Sequence, residues 1–231
     1  MENGILYIIA TPIGNLGDFT YRAVKILTEN VDIIFCEDTR QTRKLLSHYG
    51  VSVPTQSLHA HSSDKKIDRV IDLLKSGRSV AYVTDSGTPG LSDPGGKLVS
   101  RARAGGMPVC PVPGASALAS LISVSGYQGK NIIFAGFLSK KQNRLRNELM
   151  KLRDFEGLII VYESPYRIKR LVMAISEIFP KREVMIGREL TKIHEELTCK
   201  PIEDIVADID AITEKGEFAL AIFNTGKPEQ K

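Results

Sequence analysis

Short apolar runs alternate with amphipathic segments along the first half of the chain. Residues 5–10, Ile33–Cys36, Val80–Val83 and Val109–Val112 form such runs. Their side chains show no polar alternation, which is typical of strands buried on both faces of a sheet. Between them, segments such as 64–75 place apolar residues at helical spacing. This alternation predicts an α/β fold with a mostly parallel sheet and helices on both faces.

The second half repeats the alternation of strands and helices without repeating the sequence. Apolar runs at 132–136, 158–162 and 218–223 indicate strands, and an amphipathic stretch from residue 168 indicates a helix. We therefore predict two α/β domains, at 1–113 and 131–225. The segment 114–130 is predicted to be a connecting helix and linker, and 226–231 a polar tail. A cleft between the domains would be lined by loops from both.

Composition limits the class of protein but does not select a function. The chain has 231 residues, a net charge of +4 and three cysteines without metal-binding or disulfide spacing. We expect a reducing, cytoplasmic compartment, because no apolar run is long enough to span a bilayer and no signal-peptide pattern is present. The basic balance permits an anionic partner such as RNA without requiring one.

The segment 85–96 is rich in special residues and directly follows the strand Val80–Val83. It contains four glycines, two prolines, and the carboxylates Asp85 and Asp93. Open α/β sheets bind ligands beyond the carboxyl ends of their strands, so a ligand loop is favoured over a plain connector. The spacing is that of neither a P-loop nor a dinucleotide-binding fingerprint. A carboxylate there suits ribose hydroxyls or a cationic ligand, and S-adenosylmethionine fits both requirements.

Two further features each allow two interpretations. His59 and His61 can lie on one face of an extended segment, but no third zinc ligand is evident, so surface or substrate-facing histidines are favoured over a metal site. The predicted helix at 140–152 is strongly basic, and indicates either a solvated face or a phosphate-binding patch. Nucleophilic serine chemistry has no support, because the chain lacks a G-x-S-x-G elbow.

Six motifs in order carry a resemblance to a known family. They are Ala-Thr-Pro-Ile-Gly-Asn-Leu-Gly-Asp at 10–18, Glu-Asp-Thr-Arg at 37–40, Asp-Ser-Gly-Thr-Pro-Gly-Leu-Ser-Asp-Pro-Gly at 85–95, Pro-Gly-Ala-Ser-Ala at 113–117, Tyr-Glu-Ser-Pro at 162–165 and Arg-Glu-Leu-Thr-Lys at 188–192. Together they resemble the ribosomal RNA small subunit methyltransferase I family, from about residue 6 to residue 223. The set is far more specific than any single motif.

The resemblance implies a fold, a cofactor and a reaction. The fold is that of the tetrapyrrole methylase-like, or class III, methyltransferases, as a homodimer with S-adenosylmethionine between the two domains. The reaction is 2′-O-methylation of a cytidine ribose in the decoding region of 16S rRNA, in the small ribosomal subunit. The residues whose positions imply cofactor binding are Ile13, Gly14, Asp85, Ser86, Gly87, Thr88, Ser116, Ala117, Tyr162 and Glu163.

Candidate catalytic and RNA-binding residues follow the predicted strands. Carboxylates at loop ends are candidates for a general base, although each can equally be a helix cap or an ion-pair partner. They are Asp18, Glu37, Asp38, Glu163 and Glu189. Cations suited to rRNA phosphates are Arg40, Arg167, Arg188 and Lys192.

Three departures from the family pattern and two other functions accompany this interpretation. Tyr166 stands where the family usually has His, and residues 59–62 only partly match its His-Glu-His-Asn. Members often continue into a small C-terminal helical region, whereas this chain ends at Lys231. One alternative function is a methyltransferase of the same fold acting on a small molecule such as a corrinoid precursor. The other is a non-catalytic RNA-binding assembly factor.

Overall fold

The computed structural model describes residues 2–59, 64–91 and 95–225. It divides into two compact units, 1–116 and 117–231. Each unit is built on its own five-stranded sheet. In the part of the chain that is described, no helix has the length and apolar character needed to cross a membrane.

The first unit is an all-parallel sheet with helices on both faces, as the sequence predicts. Its strands are β1 (Leu6–Ile9), β2 (Ile33–Cys36), β3 (Thr55–Ser57), β4 (Val80–Val83) and β5 (Val109–Val112), in the order β3-β2-β4-β1-β5. Its helices are α1 (Tyr21–Glu29), α2 (Thr39–His48), α3 (Asp64–Lys75) and α4 (Gly95–Ala104).

Two apolar layers hold this sheet between its helices. Side chains of α3 and α4, such as Leu74 and Leu98, pack with Phe35 and Tyr82 on one face. Side chains of α1 and α2 pack with Ile34 on the other face. All four side chains named on the first face are at most 2% exposed, so they contribute the full hydrophobic gain of burial.

The strand order brings three loops together at one edge of the first sheet. β1 lies between β4 and β5, and all three strands are parallel. Their carboxyl ends therefore meet side by side. The connection from β1 to β2 and the connection from β4 to β5 run in opposite directions across the sheet from these two neighbouring strands. This is the position at which open α/β sheets bind ligands.

The second unit is a mixed sheet, and only one of its strand pairs is parallel. Its strands are β6 (Ile132–Phe137), β7 (Gly157–Glu163), β8 (Glu183–Arg188), β9 (Glu196–Pro201) and β10 (Phe218–Asn224), in the order β6-β7-β10-β8-β9. β6 and β7 are parallel, and the other neighbours are antiparallel. Its helices are α5 (Ala117–Val124), α6 (Gln142–Leu152), α7 (Ile168–Ile178) and α8 (Ile202–Ala207).

The helices of the second unit divide unequally between the two sheet faces. Residues of α6, α7 and α8, including Leu149, Leu171 and Ile202, pack on one face. The other face packs against α5 through Leu121. The helix α5 lies inside the segment 114–130.

Candidate functional site

The loops that follow β1 and β4 are joined by a two-residue antiparallel bridge. The Thr11 N–H donates to the Gly87 carbonyl at 3.0 Å, and the Gly87 N–H donates to the Thr11 carbonyl at 3.1 Å. Gly87 has a φ of +82°, and a Cβ there would lie 3.3 Å from Ile13 Cγ2. A side chain at this position would therefore be both strained and crowded.

Threonine hydroxyls reinforce the same bridge from inside. Thr11 Oγ1 donates to the Thr84 carbonyl at 3.1 Å, and Thr84 Oγ1 donates to the Gly87 carbonyl at 3.0 Å. Both threonines are buried. Sequence reasoning did not single out either residue as part of the site. The available signal was a hydroxyl side chain directly after an apolar strand, where it can satisfy loop carbonyls.

The loop after β5 joins this framework through one hydrogen bond. Thr88 Oγ1 donates to the Ala115 carbonyl at 3.0 Å. A Cβ on Gly114 would lie 3.1 Å from Ala10 Cβ, so the loops after β1 and β5 approach closely there. The predicted cofactor residues Ile13, Gly87 and Thr88 thus belong to one connected framework.

Asp85 and Ser86 are exposed at the edge of this framework, and Gly14 is exposed beside it in the β1 loop. Asp85 Oδ1 accepts a hydrogen bond of 3.0 Å from the Asp38 N–H, which connects the β4 loop to the end of β2. The structure therefore brings the predicted first-unit residues together, with a carboxylate presented to the outside.

Asp38 is both the cap of α2 and the partner of Arg40. Its Oδ1 accepts the Arg40 N–H at 2.8 Å, and the Arg40 guanidinium donates to both carboxylate oxygens at 3.1 and 2.7 Å. These hydrogen bonds from Arg40 lower the pKa of Asp38 to about 2. The Arg40 side chain is 84% exposed. Glu37, the preceding residue, is half-buried.

Glu163 and Arg167 form a buried ion pair in the second unit. Glu163 ends β7, its side chain is 1% exposed, and its Oε1 lies 2.5 Å from Arg167 Nη2. The same oxygen accepts the Ser164 N–H at 2.7 Å. Arg167 also donates to Ser164 Oγ at 3.2 Å and to the Leu138 carbonyl at 3.3 Å. The pair fixes the turn after β7.

The ring of Tyr162, one residue earlier, lies in a small aromatic group. Its centroid is 4.9 Å from that of Phe134 and 5.7 Å from that of Phe137, both in edge-on arrangements. Phe137 is 55% exposed. Packing against these two rings therefore helps to position Tyr162 near the end of β7.

A second network of charges holds the loop between β8 and β9. Arg188 donates to both carboxylate oxygens of Glu196 at 2.9 and 2.6 Å. Glu189 accepts from Lys192 Nζ at 2.7 Å and from the Glu217 N–H at 2.9 Å. Burial acts to raise the pKa of Glu189, but these two hydrogen bonds and the positive charges of Lys192 and Arg188 together outweigh it, and the pKa is lowered. The φ of Glu189 is +51°, a strained value for this residue.

The predicted residues therefore fall into two sets, one in each unit. Ser116 closes the first unit and Ala117 begins α5 in the second. Asp93 and His61 lie outside the described residues. Within the described ranges, no group of three or more His, Cys, Asp or Glu side chains is arranged to hold a metal ion.

Comparison with known proteins identifies the family. The family model of tetrapyrrole (corrin/porphyrin) methylases matches residues 5–206. A ribosomal RNA small subunit methyltransferase I from Leptospira biflexa is 48% identical over 226 residues, which cover 98% of this chain and 93% of that protein. The chain belongs to the ribosomal RNA small subunit methyltransferase I family. A member from Bacillus subtilis is 38% identical and is covered over 78% of its length.

Solved structures confirm the fold class that the sequence predicts. The methyltransferase CobJ matches with a TM-score of 0.70 and 15% identity, over all of this chain and 98% of that one. A uroporphyrin-III-C-methyltransferase from Thermus thermophilus matches with a TM-score of 0.65 and 16% identity, over 96% of each chain. At these identities the likeness extends to the fold, so it supports the two α/β units of the tetrapyrrole methylase class.

Proposed function

We propose that this member of a methyltransferase family uses S-adenosylmethionine to methylate a ribose 2′-hydroxyl of a cytidine in the decoding region of 16S rRNA. The observation that carries the proposal is the 48% identity to a named rRNA methyltransferase over 98% of the chain. The strand-end framework of the first unit is consistent with it. We further propose a homodimer that works in the cytoplasm on the small ribosomal subunit.

The first unit offers groups that fit this cofactor. The Asp85 carboxylate is exposed at a strand end, where it can accept hydrogen bonds from ribose hydroxyls and attract a cationic sulfonium. Gly87 allows the loop after β4 to turn tightly beside Ile13, because its φ of +82° and the 3.3 Å from a Cβ to Ile13 Cγ2 disfavour any side chain there. When bound, S-adenosylmethionine supplies an electrophilic methyl group. Ser116, Ala117, Tyr162 and Glu163 remain predicted cofactor residues.

The geometry narrows the choice of general base. A base that works near neutral pH needs a pKa close to that pH. The pKa values of Asp38 and Glu189 are lowered instead, and Glu163 forms a buried ion pair with Arg167. Of the two remaining candidates, Asp18 and Glu37, we favour Glu37, because it directly follows β2 and its neighbour Asp38 donates to the Asp85 carboxylate. It would accept the proton of the ribose hydroxyl as the oxygen bonds to the methyl carbon, while the sulfur–methyl bond would break and S-adenosylhomocysteine would leave.

The candidate RNA-binding cations differ in how exposed their side chains are and in how they are paired with carboxylates. Arg167 and Arg188 already hold carboxylates, with side chains 15% and 11% exposed. Lys192 is shared between Glu189 and Glu217. Arg40 is by far the most exposed of the four. We therefore assign the first contact with rRNA phosphates to Arg40 and a positioning role to the other three.

Radiolabelled S-adenosylmethionine and small subunits lacking the modification provide the test. We expect label in 16S rRNA with wild type, a large loss of cofactor affinity in Asp85→Asn, and a large loss of kcat with intact cofactor affinity in Glu37→Gln. The labelled nucleotide should resist alkaline cleavage on its 3′ side, because a 2′-O-methyl group removes the attacking hydroxyl. Label in a base, with normal cleavage, would overturn the 2′-O assignment. Transfer only to a corrinoid precursor would favour the small-molecule alternative, and the absence of cofactor binding would favour the assembly factor.

A further inference from the structure

A basic cavity lies in the first unit where helices α2 and α3 meet the edge strand β3. Its volume is about 270 Å³. Thr39 comes from the start of α2, Thr55 and Ser57 come from β3, and Lys66 and Arg69 come from α3. Phe35 and Gln56 complete the lining. None of the predicted cofactor residues lines this cavity.

Apart from Phe35, the described residues of the lining are hydrogen-bond donors and cations, and none of them is a carboxylate. Lys66 Nζ donates to the Ser57 carbonyl at 3.2 Å and to Ser57 Oγ at 3.1 Å, which holds the ammonium over the end of β3. Arg69 makes no hydrogen bond or ion pair with any residue that the structure describes. An ammonium has three donors and a guanidinium has five, so most of this donor capacity is unused within the described chain.

The surface around the cavity continues the positive charge. Helix α2 carries Arg40, Arg43 and Lys44 and has no acidic residue along its length. Arg43 Nε donates to Thr55 Oγ1 at 3.1 Å, which places its guanidinium at the rim of the cavity. An anion entering the cavity therefore meets positive charge from two helices.

We propose that this cavity binds a phosphate group of the substrate RNA backbone. The inference rests on the proposed function, since it assumes that RNA is the substrate. Phosphate is the ligand that uses these groups best, because its oxygens accept from the Lys66 ammonium, the Arg69 guanidinium and the neighbouring hydroxyls together. Phosphate contacts fix the register of a nucleic acid without reading its sequence.

The position of the cavity suits such a role. Thr39 directly follows Asp38, whose N–H donates to the Asp85 carboxylate at 3.0 Å. Lys66 reaches the end of β3, which is paired with β2 through Cys36 and Ser57. The cavity therefore lies near the carboxyl ends of the parallel strands, where the predicted cofactor loops also lie. In the strand order it is at β3, two strands from β4. RNA held here would be fixed beside the reacting ribose rather than at it, so Lys66 and Arg69 are positioning residues.

The test compares two double variants of helix α3. Lys66→Gln/Arg69→Gln removes the cavity cations, and Lys65→Gln/Lys75→Gln removes the same charge from the same helix outside the lining. RNA binding is measured by filter retention of a decoding-region RNA fragment over a range of salt concentrations. One lost phosphate contact reduces the slope of log affinity against log salt by roughly 0.7–0.9. We expect that reduction, with a roughly tenfold weaker Kd, in the cavity variant and a clearly smaller change in the control.

Equal slopes and affinities in the two variants would overturn the proposal. Arg69→Gln alone guards against misfolding, because Arg69 has no bonded partner among the described residues, and it should show part of the same change. If inorganic phosphate binds by calorimetry, this binding is lost in Arg69→Gln and the salt slope for RNA is unaltered, the cavity binds a free phosphate compound. That result would overturn the RNA assignment.

Turnover separates this inference from the proposed function. With small subunits as substrate, the cavity variant should raise KM and leave kcat and S-adenosylmethionine affinity unchanged. A wild-type protein that binds RNA without methylating it would remove the proposed function, while the salt slopes would still decide whether the cavity holds phosphate. A fall in kcat alone would contradict a positioning role.

Discussion

The two sets of candidate residues are held in place by different forces. In the first unit, neutral hydrogen bonds from backbone groups and threonine hydroxyls fix the loops, and the Asp85 carboxylate stays exposed. In the second unit, the charged residues hold one another, as Glu163 holds Arg167. Where uncharged groups hold the loops, the charged side chains stay available to a ligand. Where ion pairs hold the loops, the charged side chains are already used for structure. The first unit is therefore the better source of ligand-directed charge.

The largest expected effect is in the second unit, at its buried ion pair. Glu163→Gln leaves the Arg167 guanidinium buried without a counter-charge, and such changes destabilise by about 3–5 kcal/mol. Urea unfolding should show this loss. Adding Arg167→Met should recover part of it in a double-mutant cycle. Glu177→Gln, which breaks an ion pair in the same unit whose partners Arg146 and Glu177 are 52% and 45% exposed, is the control with a much smaller loss. An equal loss in both would remove the distinction between buried and exposed pairs.

The next effect is in the neutral framework of the first unit. Gly87→Ala places a Cβ at a φ of +82° and 3.3 Å from Ile13 Cγ2. Strain of this kind is about 1–3 kcal/mol. We expect the loop to relax away from its bridge, and calorimetry should show S-adenosylmethionine affinity reduced by roughly ten- to a hundredfold. Gly96→Ala, with open space around its Cβ, should bind normally. Normal binding by Gly87→Ala would show that the bridge does not shape the site.

Acid should weaken the cap of α2 in a defined pH window. The folded pKa of Asp38 is about 2, because Arg40 stabilises the carboxylate, whereas an unfolded Asp titrates near about 3.9. Its contribution to stability is thus fully present above that unfolded value and is lost as pH falls toward the folded value. Asp38→Asn keeps a capping side chain and should flatten the decline of stability between these limits. If the urea midpoint of Asp38→Asn fell with decreasing pH in the same way as that of wild type, the lowered pKa of Asp38 would be contradicted.

The smallest effect on stability is expected at the most exposed cation. Arg40→Gln removes an ion pair on the surface but keeps the hydrogen bond from the N–H of residue 40 to Asp38, so thermal unfolding at neutral pH should shift only slightly. Its RNA affinity should fall, more at low salt than at high salt. Lys25→Gln, which removes a surface cation of α1, is the matched control and should keep wild-type affinity. Equal RNA affinities for the two variants would contradict the role assigned to Arg40.

Sequence reasoning predicted elements well because those signals are local. The strands Ile33–Cys36, Val80–Val83 and Val109–Val112 have the bounds that their apolar runs indicate. The gathering of strand-end loops also followed, since it depends only on parallel strands.

Pairings between distant residues were beyond the reach of the sequence. Neither the Thr11–Gly87 bridge nor the strand order of either sheet has a local signature. The same holds for Glu163, which was a candidate both as a base and as a cofactor ligand. A carboxylate at a strand end looks alike in sequence whether it faces a ligand or, as here, the guanidinium of Arg167.

The central position of β1 has a consequence for synthesis of the protein. Leu6 is made well before both of its partners in the sheet, Val80 and Val109, which lie 74 and 103 residues further along the chain. At about 5–20 residues per second, an apolar strand waits several seconds before either neighbour exists. Among the described strands, β1 therefore has the longest exposure to wrong partners, and it is the strand for which chaperone binding during translation is most expected.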